Sequence, residues 1–150
     1  MLKKFKKQMK NEKGLTLIEL LAVIVILAIV AAIAIPAIGG IIENSKYNAV
    51  KADALNVINA AQLYYLDDTN GKTDVTVKKL VDEKYMDNSG KIPGTATVTR
   101  VMPHALTGTG AIDYSNGKNV TFTGATITGI NRDENKGSGA GGYTIGAGTP

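Results

Sequence analysis

The chain has 150 residues, 44% of them hydrophobic and 20% charged, with no cysteine and a single histidine. That is one small domain with an appendage, and the lack of cysteine excludes zinc-finger, thiol-protease and redox chemistry along with the disulfide staples common in small exported domains. The formal net charge of +4 is local: residues 1–14 carry six lysines against Glu12, and taking six from 17 and one from 13 leaves 11 positive and 12 negative residues, a net of −1, so a general nucleic-acid-binding role is not supported.

The lysines at positions 3, 4, 6, 7, 10 and 13 stand directly before an apolar run. A basic block in that place is a topological signal that keeps the N-terminus in the cytoplasm and sends the rest outward. Leu20 to Ile42 is 23 residues without a charge, and about 20 apolar residues cross a bilayer as a helix. A secretory signal has an apolar region of only about 7 to 15 residues. A simple membrane anchor accounts for the run and the lysines but not for Glu19, which sits at the run's edge. An acid there is favoured by the positive end of the helix dipole. It is equally explained as a group neutralised by a partner, such as an amine freed at Leu15 one helical turn away, in the same chain or a neighbour. The residue alone does not separate these two readings.

Pro36 removes a helical hydrogen bond and Gly39-Gly40 follow within a turn, so a kink or a locally weak helix is expected there. From Glu43 the pattern turns amphipathic. Tyr47, Val50, Ala54, Val57 or Ile58, Ala61 and Tyr65 recur at three- and four-residue steps, a face that needs a partner surface. The two parts are expected to form one helix from about Leu15 to Leu66, on the order of 75 Å long. Asp67 to Gly71 ends it, with Gly71 as the left-handed stop.

A short helix is expected over Val75 to Met86, capped by Asp74 or Thr76, with Val77, Leu80, Val81 and Tyr85 on one face. The rest reads as β structure. Strands are expected over Thr95 to Met102, Ala111 to Ser115, Asn119 to Thr123, Thr126 to Ile130 and Tyr143 to Ile145. Asn116-Gly117 joins two of them as a type I′ hairpin. Asn131 to Gly142 is a Gly-rich loop, and the tail Gly146 to Pro150 is expected to be mobile. The fold class is α+β, a long helix packed against a small antiparallel sheet.

Chemistry-bearing groups are sparse. His104 stands alone, so a metal cluster or a Ser-His-Asp triad has no support, and a loop or strand histidine is the better reading. The acidic stretch Asp67 to Asp74 does not fit the EF-hand spacing. Asn131, Asp133 and Glu134 form a weak calcium candidate beside the stronger reading of a solvated loop. Asn119-Val120-Thr121 matches a glycosylation sequon but abuts the hairpin turn. Tyr47, Tyr64 and Tyr65 read as packing residues rather than a base-stacking platform. No catalytic residue, metal or cofactor is expected, and the chain is not read as an enzyme.

The stretch Lys13-Gly14-Leu15-Thr16-Leu17-Ile18-Glu19, with its basic leader and the apolar run that follows, closely resembles the class III signal of type IV pilins and pseudopilins. The resemblance covers residues 1 to about 66. It implies cleavage between Gly14 and Leu15 by a prepilin peptidase, N-methylation of the new Leu15 amine, and assembly roles for Thr16, Glu19 and Pro36. Pro36 matches a proline that family members carry, while Leu15 stands where many have Phe. Val77 to Met86 followed by Ile92-Pro93 resembles, more loosely, a short helix and Pro loop of pilins, with Lys84 where Gly is commoner.

The domains implied are a leader (1–14), a hydrophobic transmembrane or filament-core helix (15–42) and a soluble head (43–150). The implied partners are other copies of the chain in a helical homopolymer, the peptidase, an assembly platform and ATPase, the membrane before assembly, and DNA or surfaces touched by the head. The implied location is a single-pass membrane protein with a cytoplasmic N-terminus, then a cell-surface filament. The alternatives are a pseudopilin of a competence DNA-uptake or type II secretion system and, from another class, a membrane-anchored extracytoplasmic binding protein.

Overall fold

The computed structural model describes residues 16–69, 71 and 73–148. The leader, Gly14 and Leu15 lie outside them. One helix, α1 (Leu17–Asp67), occupies 51 residues. It joins the apolar run to the amphipathic face without a break, as the absence of any turn signal at Glu43 dictates. The chain divides at Ile38 and Gly39 into two units.

In the first unit no side chain from Leu17 to Ile38 is buried. This part of α1 is apolar on every side, which is the pattern of a helix made for lipid or for other helices. Pro36 lies within α1.

The second unit is built on the amphipathic part of α1. Tyr47, Val50, Ala54, Val57, Ile58, Ala61 and Tyr64 are buried along it. Their three- and four-residue spacing is the reason one face closes on the sheets. Tyr64 fills the last core position that the periodicity gives to Tyr65. Tyr65 is only half-buried, and its hydroxyl donates to the Val98 carbonyl (2.6 Å) and accepts from the Val75 N–H (2.8 Å). The helix ends without a left-handed glycine. Asp68 takes the Gly71 N–H on Oδ1 (3.0 Å), and the Asp68 carboxylate and the Arg100 guanidinium lie close against Gly71 Cα.

After α1 come two three-stranded sheets. The first pairs β1 (Val75–Thr76), β2 (Thr97–Val98) and β3 (Leu106–Thr107), all antiparallel. The expected helix over 75–86 is therefore shorter, α2 (Val77–Asp82), because Val75 and Thr76 are drawn into the sheet. Thr76 is the cap, accepting the Lys79 N–H on its side chain. The helix stops at Lys84, whose φ is +67°. Its N–H reaches the Val81 carbonyl (3.1 Å) and the Tyr85 N–H reaches the Leu80 carbonyl (2.9 Å). That pair of bonds is a Schellman stop, normally built on glycine.

The second sheet contains β4 (Ile112–Ser115), β5 (Lys118–Phe122) and β6 (Tyr143–Ile145). The hairpin is as the sequence predicts. Asn116 and Gly117 take φ of +49° and +80°, and the register shifts at Tyr114 between Asp113 and Ser115. β6 runs parallel to β5, against the expectation of a purely antiparallel sheet. The connection from Thr123 to Gly142 is long enough to carry the chain back, which a parallel pair requires. Thr126 to Ile130 is not a strand but the start of α3 (Ile127–Arg132). Thr126 caps it by accepting the Gly129 N–H at 3.1 Å, and Ile127 and Ile130 at i, i+3 face the core. The tail is tied down as far as it is described, since the Thr126 hydroxyl donates to the Ala147 carbonyl.

Candidate functional site: the start of the long helix

The Thr16 side chain accepts the Glu19 N–H (3.3 Å), while the Thr16 N–H and hydroxyl both donate to Glu19 Oε2 at 2.8 Å. This reciprocal exchange is a capping box: a Thr at the cap and a Glu three residues on each satisfy an orphan group of the first turn. The Leu20 N–H then closes the first helical bond to the Thr16 carbonyl (3.0 Å). The pattern Thr-x-x-Glu before an apolar run was present in the sequence, but the dipole argument treated Glu19 alone and missed that Thr16 holds it. Both bonds fall on Oε2, and Oε1 takes no donor among the described residues.

Glu19 is the only charged side chain from Thr16 to Ile42. The large apolar residues of that stretch stand exposed, from 87% at Leu17 to 49% at Ile42. The segment is long and apolar enough to cross a membrane. Thr16 and Glu19 thus share one helical turn. Pro36 lies about five turns further along the same helix.

The other candidates serve the head. Asp133 is not solvated: its Oδ2 accepts from the Tyr47 hydroxyl (2.7 Å) and from Lys51 Nζ (3.1 Å), with side chains only 15% and 7% exposed for Lys51 and Asp133. Burial alone works to raise this carboxyl's pKa. Hydrogen bonds from Tyr47, Lys51 and Asn135 outweigh it and leave the group below the ordinary value. Burial, then the bond to Asp133, pushes the Tyr47 hydroxyl well up. Asn131 and Glu134 are exposed and make no common site with Asp133, and no group of three or more metal-ligating side chains gathers among the described residues.

His104 is a loop residue that lies against the Tyr65 ring (5.1 Å between centroids) and has Nδ1 2.9 Å from the Thr99 carbonyl oxygen. Asn119 is half-buried in β5 opposite Asp113. Tyr47 packs on Tyr114 and Tyr143, and Tyr64 on Tyr65 and Tyr85, so these rings are core and not a binding platform.

Residues 9–35 match the family described as the Prokaryotic N-terminal methylation motif. Searches of curated proteins and of solved structures give no match. The motif spans the cap, the lone acid and most of the uncovered helix. Proteins of the pilin-like class are normally structural and non-enzymatic, and the class III signal implies processing by a prepilin peptidase. The match is confined to residues 9–35, and what it shows there is the class III, N-terminal methylation signal typical of type IV pilins and pseudopilins, at the start of a long helix that leads into an α+β head.

Proposed function

We propose that the chain is the structural subunit of a type IV pilus-like filament. The observation that carries this is the first turn of α1: one carboxylate at the start of a stretch, Leu17 to Ile42, that is otherwise uncharged and has no buried side chain, with one oxygen engaged by Thr16 and the other without a donor among the described residues. The precursor inserts with its lysines inside. The peptidase cuts between Gly14 and Leu15 and methylates the new amine. The subunit waits in the bilayer until a platform protein and an ATPase draw it into the filament. There the apolar parts of α1 bundle, and burial against protein replaces burial in lipid. Glu19 pairs with the Leu15 amine of a neighbour and sets the axial register, since an unneutralised carboxylate costs about 2.5 to 3.5 kcal/mol at full depth. Pro36 and Gly39-Gly40 let the helix bend during assembly. The head coats the outside.

Two measurements test the reading. Intact mass of the mature chain is expected to show loss of residues 1–14 and gain of one methyl group; a retained leader refutes processing and favours a plain anchor. In cells making Glu19→Ala, few or no filaments are expected while processing continues. Filaments at the normal yield refute the docking role. Electron microscopy of sheared surface material separates long pili from the short filaments of a pseudopilin.

A further inference from the structure

A cleft of about 380 Å³ lies inside the head, between the exposed side of α1 and the segment that follows α2. Its origin is local. The left-handed turn at Lys84 ends α2 and sends the chain back along α1. The returning segment is tied to α1 at both ends: the Tyr85 hydroxyl donates to Asp67 (2.8 Å), and Asp53 accepts the Lys91 N–H (2.9 Å). Those two acids stand about 20 Å apart along the helix. Between the ties the segment stands off α1, and the gap is the cleft. Small-molecule sites have volumes of about 300 to 1,000 Å³, so this one has room for a single ring of moderate size.

The polar groups of the cleft are largely unspent. Asn56 and Asn59, one turn apart on α1, and Asp87 on the facing segment make no hydrogen bond or ion pair among the described residues. Asn88 uses only its oxygen, on the Gly90 N–H (3.1 Å), and Asp53 only Oδ2, on the Lys91 N–H. No lysine or arginine lines the cleft. Two carboxylates without a cation beside them repel an anion. A calcium ion asks for about six to eight oxygen ligands, and among the described residues no group of three or more acids or histidines gathers. The groups present suit a neutral ligand rich in hydroxyls and amides: side-chain amides both donate and accept, and carboxylates accept from hydroxyls.

Apolar groups supply the other half. Leu63, 55% exposed, stands beside the amides, with Met86 and the Tyr85 ring on the facing segment. Tyr85 is held in place edge-on against Tyr64, 5.4 Å between centroids. A sugar ring has the same division, with hydroxyls at its edge and C–H bonds on its face. An acetamido substituent adds an amide for Asn56 or Asn59 and a methyl group for Leu63 or Met86. We propose that this cleft binds an N-acetylhexosamine ring. The cleft lies wholly within the head, so the proposal stands or falls apart from the filament reading.

The test is calorimetric titration of the full chain in a sugar-free zwitterionic detergent, with chitotriose as the probe. Chitotriose is expected to bind with a dissociation constant on the order of 1 mM, which the small size of one ring sets. Maltotriose, which lacks the acetamido groups, is expected to bind at least about tenfold more weakly. Asn59→Ala and Asp87→Ala, both at exposed positions, are each expected to weaken chitotriose about tenfold with the thermal midpoint unchanged, while Thr144→Ala, outside the cleft, leaves binding as it was. No binding of chitotriose up to about 10 mM overturns the proposal. So does equal binding of maltotriose, or binding that survives both cleft substitutions. Calcium chloride is titrated in parallel, and a calcium signal that Asp87→Ala removes, with none from chitotriose, assigns the cleft to a cation and overturns the sugar.

Discussion

Lys84→Gly is expected to stabilise the head. Lys84 holds φ at +67° to close the Schellman stop of α2. An L-residue in that region costs roughly 1 to 2 kcal/mol, because Cβ crowds the following carbonyl. Lys84 is exposed and takes part in no side-chain hydrogen bond or ion pair among the described residues, so the swap removes nothing else from the fold. Against the relief stands the extra freedom glycine gives the unfolded chain, about 0.4 to 1 kcal/mol. The difference spans about 0 to 1.6 kcal/mol, and its middle, ~0.5 to 1 kcal/mol, is the expected net gain. For a domain near 100 residues, 1 kcal/mol moves Tm by about 4 to 8 °C, so a rise of about 2 to 8 °C is expected. The assay is thermal unfolding of the full chain in detergent, followed by tyrosine near-UV circular dichroism, with Lys84→Ala as control. Alanine keeps the Cβ and is expected to leave Tm unchanged within a degree or two. A Lys84→Gly midpoint at or below that of the parent refutes the argument that this stop is strained.

Asp133→Asn removes the charge that faces Lys51 and Tyr47 and is expected to cost about 1 to 3 kcal/mol in the same unfolding assay. The pH dependence has a definite sign. The folded Asp133 carboxyl lies below its ordinary value, so its stabilisation is full above about pH 4 and is lost as pH falls through the folded value; Asp133→Asn is expected to flatten that acid limb, and an unchanged limb refutes the assignment. Gly137→Ala places a Cβ 2.4 Å from the Glu43 carbonyl oxygen and 2.6 Å from Tyr47 Cβ, neither of which can yield, and is expected to destabilise by about 1 to 3 kcal/mol.

Most of α1 was legible because two different periodicities meet in it. An unbroken apolar run and a 3.6-residue pattern are both helical, and no glycine-proline pair separates them. The hairpin was legible from Asn116-Gly117, since few other dipeptides accept two positive φ values. The strand expected over Thr126 to Ile130 failed because β-branched residues were weighed above the cap: Thr126 with Gly129 starts a helix, and the isoleucines then fall three apart on its inner side. β1 and β3 are two residues long and are held by pairing with distant segments, which no local pattern records. The strand expected over Thr95 to Met102 shrank to Thr97–Val98 because only there is a partner within reach on each side. At the candidate site the residues were legible, yet their mutual bonds were not weighed: Thr16 and Glu19 stood in the motif as separate positions, and their spacing already made them a pair.

That pair has a further consequence. A carboxylate has two oxygens, and here the helix start uses Oε2 alone. The turn therefore stays closed whether or not anything approaches Oε1. A neighbour's amine can be received without unwinding the segment that presents the acid, and its departure leaves no frayed end behind. In the filament proposed above, the same carboxylate serves both as a fixed part of its own backbone's closure and as a replaceable contact for another chain, with one atom for each duty.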